Sequence, residues 1–185
     1  MMLYNVYNII MQTEDQIAKL QEQYYSGTSK NRFFKNHQKL ECATEVAQNM
    51  DLNVLLNRCI YIIPNKNEIY IDYPKLKTFI CPAIYQQIVE FATNLANECI
   101  DTHQVFSLHI NLQSFTITAA QRYKDLIELF CNICLKKGAP FQVQLQFIHL
   151  YNYPSIIPMV HKMFAGFIDD SARGKLVLEK NNLPR

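Results

Sequence analysis

The sequence predicts an α/β fold: a mostly parallel mixed sheet flanked by helices, with an N-terminal helical segment. Three observations carry this. From residue 59 the order reads strand, strand, helix, strand, helix, strand, helix, strand. The strand segments alternate apolar and polar side chains, while the intervening segments repeat apolar residues at helical spacing. The chain of 185 residues is 49% hydrophobic and 18% charged, enough to close one core without metals or disulfides. Such an order favours right-handed crossovers and parallel pairing.

The helical segment spans residues 1–58 and is expected to pack on the main domain, 59–185. Thr13, followed by Glu14, Asp15 and Gln16, reads as a helix N-cap with a capping side chain three residues on. Ile17, Leu20 and Tyr24 supply the apolar face, and Gly27 the stop. Leu40, Ala43, Val46 and Met50 mark a second helix, and Leu55 and Leu56 a short third turn.

Cys59 to Ile63 and Glu68 to Tyr73 read as two strands joined by Pro64, Asn65, Lys66 and Asn67, a tight reversal. Pro82 opens a helix over 82–100, with Ile84, Ile88, Phe91, Ala92, Leu95 and Cys99 on its apolar side. Val105 to Leu112 is a strand: Phe106, Leu108, Ile110 and Leu112 share one face, and Ser107, His109 and Asn111 the other. Thr118 and Gln121 suggest a capping box for one long helix ending at Lys136, Lys137 and Gly138. Phe141 to Leu150 follows as a strand whose alternation changes at Ile148 and Leu150. Pro154 and Ser155 open an amphipathic helix through Ile168, and Lys175 to Leu178 is the last strand.

Composition narrows the function. The formal net charge is +2 with scattered lysines and arginines, so no strong field favours nucleic acid, and no nucleic-acid partner is expected. Four glycines leave almost nothing for a phosphate-cradling glycine loop. No apolar run reaches the roughly 18–20 residues that span a bilayer, and the first residues lack a basic leader with a cleavage site. A cytoplasmic location is the expectation. The six cysteines sit among apolar residues and suit reduced core thiols. Cys131 and Cys134 have the spacing of a redox or zinc pair, but they lie deep in a helix rather than at its positive end, and no second pair follows. No metal and no cofactor is expected.

The stretch FQVQLQFIHLYNYPSIIPMVHKMFAGFIDDSARGKLVLEK runs from a strand through an Asn-x-Pro turn, a helix, an acidic turn and a basic-then-apolar strand. This pattern, with HQVFSLHINLQSFTI before it, resembles the lipid-binding domain of the CRAL-TRIO family. The resemblance covers about residues 60–180 by pattern, with motifs only in the final forty. It implies non-catalytic binding of a lipid or other apolar small molecule beneath helix 156–168. Phe147, Ile148, Leu150, Val160, Phe164 and Phe167 would contact the apolar part, with His109 and Asn111 near a head group if their strand lies at an open edge. Ile156, Ile157, Met163 and Ile168 would belong to the gate. The interval between the two matching strands holds one helix where the family has more, so the fold can persist with its pocket filled. In that case the chain is a structural or protein-interaction scaffold. A second resemblance, to the STAS fold, implies a regulatory serine at a strand-to-helix turn. Ser114 has that place, although LQSFTIT lacks the DSxG context.

Catalytic chemistry finds little support. No HExxH, GxSxG, Walker loop or paired CxxC is present, and Asp169 and Asp170 are adjacent rather than facing each other. The chain is therefore read as not an enzyme. Arg32, Phe33, Phe34 and Lys35 mix aromatic and basic side chains, which suits either a solvated surface or peripheral contact with a membrane or an anion.

Overall fold

The structure is a computed structural model that describes residues 2–28, 35–155 and 173–179. It is an α/β fold, a five-stranded mixed sheet flanked by helices and preceded by a helical segment. The strands β1 (Ile60–Ile62), β2 (Glu68–Asp72), β3 (Phe106–Asn111), β4 (Leu145–Tyr151) and β5 (Leu176–Leu178) stand side by side in sequence order. β1 and β2 pair antiparallel and the other neighbours pair parallel, as the sequence predicts.

The hairpin turn follows from its residues. Lys66 N–H donates to the Ile63 carbonyl (3.1 Å), and Asn65 at the third position takes φ 62°, a left-handed conformation that asparagine tolerates after Pro64. Parallel strands laid down consecutively in one direction place right-handed crossover helices on one face. Two helices do lie there: α5 (Tyr85–His103), entered through a 3-10 turn at Pro82–Ile84, and α7 (Lys124–Cys134). They cover Ile69, Ile71, Phe106, Leu108 and Ile110, and this interface is the centre of the core.

α1 (Met2–Gly27) and α2 (Lys35–Asn49) pack on each other, and α3 (Leu52–Asn57) leads into β1. Ile17, Val46, Leu55 and Leu56 belong to the same buried cluster as the sheet, so the helical segment shares the core. Thr13 is buried within α1 rather than capping it. The helix continues toward its N-terminus, and the Thr-Glu-Asp-Gln signal is spent inside it. Asp51 is a true cap, its Oδ1 accepting from Asn53 and Val54 N–H.

Three further elements differ from the sequence expectation. Thr116, not Thr118, caps the helix after β3 by accepting from Ala119 N–H at 3.2 Å. That helix, α6 (Ile117–Arg122), breaks at Tyr123 (φ −103°, ψ 19°) before α7 begins. A short α4 (Tyr73–Leu76) follows β2 directly, with Pro74 in its first turn. The residues 141–144 form turns and β4 starts only at Leu145. The expected helix from Pro154 and Ser155 to Ile168 lies, from residue 156 onward, outside the described residues. Among the described residues, no helix is long and apolar enough to cross a membrane.

Candidate functional site

The predicted ligand residues on β3 and β4 fall on opposite faces of the sheet. Phe106 pairs with Leu145 but Leu108 pairs with Ile148, so β4 carries one extra residue over this interval. The bulge keeps Leu145 and Ile148 on the buried face and leaves Gln146 and Phe147 outside. Ile148 and Leu150 pack with Leu108 and Ile110 toward the helices. Phe147 points the other way and is 46% exposed. Val160, Phe164 and Phe167, together with Ile156, Ile157, Met163 and Ile168, lie outside the described residues. So do Arg32, Phe33 and Phe34, while Lys35 opens α2.

His109 and Asn111 sit on β3, the middle strand, rather than at an edge. Their face carries a continuous aromatic stripe. Tyr61 packs on Tyr70 (5.3 Å between ring centroids), and Tyr70 is the register partner of His109. His109 stacks on His149 at 4.5 Å with 11° between planes, and Phe147 lies 5.9 Å from His149. His109 Nδ1 meets the Tyr151 hydroxyl at 2.9 Å, and its Nε2 faces the Glu68 carboxylate at 3.4 Å without forming a hydrogen bond. In the tautomer with the ring proton on Nε2, Tyr151 O–H donates to Nδ1. Burial holds the His109 pKa below its ordinary value, partly offset by Glu68 and reinforced by His149. His149 Nδ1 pairs with Glu179 Oε1 at 2.8 Å. Asn111 Oδ1 accepts from Gln113 N–H (3.2 Å) and Asn152 Nδ2 (2.9 Å), tying the ends of β3 and β4 together. These polar groups are engaged with one another, and the two histidines line neither of the two larger cavities.

The apolar space lies on the opposite face. Between the sheet and the α5–α7 layer is a cavity of about 210 Å³ with a wholly apolar wall. Ile60, Ile71 and Ile110 form its floor, Ile88 and Ala92 come from α5, and Leu126 and Phe130 from α7. Phe115, Tyr73 and Tyr123 also line it. Ala92, the small residue of α5 in this wall, and Tyr123, at the break between α6 and α7, both line the space. Burial pushes the Tyr73 hydroxyl up to about 12 and also raises Tyr123, so both phenols stay neutral. Sequence periodicity identifies most of these residues as core and gives no sign of a gap among them.

All six cysteines are free and buried. Burial pushes Cys131 up to about 11 and Cys134 to about 12, opposite to the shift a redox thiol needs. Among the described residues no cluster of three or more His, Cys, Asp or Glu could hold a metal ion. No protein-family model, curated protein or solved structure matches the chain.

Proposed function

We propose that this protein is a non-catalytic binding module for a small apolar molecule or a short acyl chain, held between the sheet and the α5–α7 layer. The observation that carries this reading is the wholly apolar wall of the 210 Å³ cavity. An apolar wall of this kind offers a hydrophobic guest dispersion contacts and removal of its surface from water. A six-carbon chain gains roughly 5 kcal/mol on leaving water. After the cost of immobilisation, affinity on the order of 1–10 mM is expected for such a probe. The volume suits one short chain or one small ring rather than the two chains of a phospholipid.

Calorimetric titration with 1-hexanol and benzene tests this reading, alongside native extraction and mass spectrometry for a co-purifying apolar compound. Ala92→Leu fills the cavity and is expected to weaken hexanol binding at least tenfold, with the thermal midpoint unchanged or raised. If the folded wild type takes up neither probe and carries no compound, the apolar-ligand reading fails.

A second reading, a protein-interaction scaffold without catalytic activity, is supported by Tyr61 and Phe147, 40% and 46% exposed on the aromatic face. A strictly monomeric species in light scattering, with no partner recovered by affinity capture, would count against it.

A further inference from the structure

A second cavity, of about 380 Å³, lies beyond the carboxyl ends of β2 and β3, where α1 and α2 meet α4 and α6. The volume falls within the range of small-molecule sites. Its lining is chemically one-sided. Lys39, Lys77 and Arg122 contribute cationic side chains, and none of its described lining residues is a carboxylate.

The geometry at the rim is built by a strained turn. Ser114 takes φ 65°, a left-handed conformation costly for serine. Its Oγ lies 2.6 Å from Lys77 Nζ, which donates to it. Lys77 is further held 5.8 Å from the centre of the Tyr73 ring. Arg122 Nη2 donates to Asn36 Oδ1 at 2.5 Å, its guanidinium lies 5.4 Å from the Tyr123 ring, and its buried Nε has no hydrogen-bond partner among the described residues. Among the described residues neither Lys77 nor Arg122 forms an ion pair with a carboxylate. Two positioned cations, with no counter-charge among the described residues, thus border one cavity, with a hydroxyl between strand and helix and tyrosine rings beside them.

We infer that this cavity binds a phosphate monoester. A planar guanidinium and an ammonium together suit a phosphate dianion, Ser114 supplies a hydroxyl donor, and the rings of Tyr25, Tyr73 and Tyr123 offer a surface for the organic group. This site is independent of the apolar-ligand reading.

Calorimetry on the full chain at low salt, with phenyl phosphate, inorganic phosphate and phenol as probes, tests the inference. Phenyl phosphate is expected to bind at least fivefold tighter than inorganic phosphate, with phenol weakest. Lys77→Gln should weaken phenyl phosphate binding at least tenfold, Lys77→Arg should retain it within about threefold, and circular dichroism should confirm that both variants fold. Hexanol binding, which reads the other cavity, should be unchanged in both. Equal affinity for phosphate and its phenyl ester would overturn the organic half of the inference and leave free phosphate as the ligand. No binding of either anion by folded wild type, or full binding by Lys77→Gln, would overturn the site itself.

Discussion

Tyr73 and Tyr123 meet edge to face with ring centroids 6.3 Å apart, and both rings line the apolar cavity and the basic cavity alike. They are the partition between a space suited to a chain and a space suited to an anion. Tyr123→Leu thins that partition. The variant should lose roughly 2 kcal/mol of stability from removed aromatic packing, yet bind hexyl phosphate at least tenfold tighter than wild type, because one ligand can then occupy both spaces. Calorimetry with hexyl phosphate checks this, and unchanged affinity in a folded variant would mean that the partition does not separate the two spaces.

The sequence made the sheet legible because period two and period 3.6 are properties of short segments. The hairpin was written in Pro64 and Asn65, and the central strand in Phe106, Leu108 and Ile110. What was not legible depended on partners distant in the chain. The bulge at Gln146 and Phe147 arises from the register between β3 and β4, so it appears in the sequence only as a lapse in alternation. Tyr123 reads as an ordinary apolar position of one long helix, and its φ and ψ place it between two. The basic cavity draws Lys39, Lys77, Ser114 and Arg122 from four separate segments, and no spacing rule relates them. The apolar cavity fails to announce itself for a different reason: its walls are core residues, and a periodic pattern cannot distinguish packed core from core with a gap.

The cysteines should be silent in the native state. With burial holding Cys59, Cys131 and Cys134 near or above 11, almost no thiolate exists at pH 8. A chromogenic disulfide reagent should titrate six thiols in denaturant and react at least a hundredfold more slowly with the folded protein. Cys42, which lines the basic cavity, should be the first to respond, and phenyl phosphate should slow it further. Rapid native reaction at Cys131 or Cys134 would contradict the buried-core assignment.

Arg58 ties the helical segment to the sheet. Its side chain is only 5% exposed, and Nη2 donates to Glu14 Oε1 on α1 at 2.6 Å. Nε and Nη1 have no hydrogen-bond partner among the described residues. A buried cation stripped of its carboxylate costs more than the pair is worth, so Glu14→Gln should be more harmful than Arg58→Met, which removes the charge altogether. The expected loss for Glu14→Gln is roughly 1–3 kcal/mol, discounted because Glu14 is itself partly exposed. Urea denaturation of both variants checks the order, and the reverse order would mean that Arg58 acts through its own contacts rather than through the ion pair.

His109 should make the fold acid-sensitive. Burial lowers its pKa in the folded state below the ordinary 6.5, with Glu68 and Glu179 opposing the shift and His149 and Lys66 adding to it. As pH falls, the unfolded chain therefore takes up this proton first. The contribution to stability is intact above about 6.5 and is lost between there and the lower folded value, at a limiting rate of about 1.4 kcal/mol per pH unit. Once protonated, the ring would lose the Nδ1 lone pair that accepts from Tyr151 and would face His149 as a cation at 4.5 Å. Denaturation midpoints of wild type and His109→Gln at pH 7.5, 6.5 and 5.5 separate this group from the carboxylates. Wild type should lose more stability than the variant across that window. Parallel losses would place the acid sensitivity elsewhere than His109.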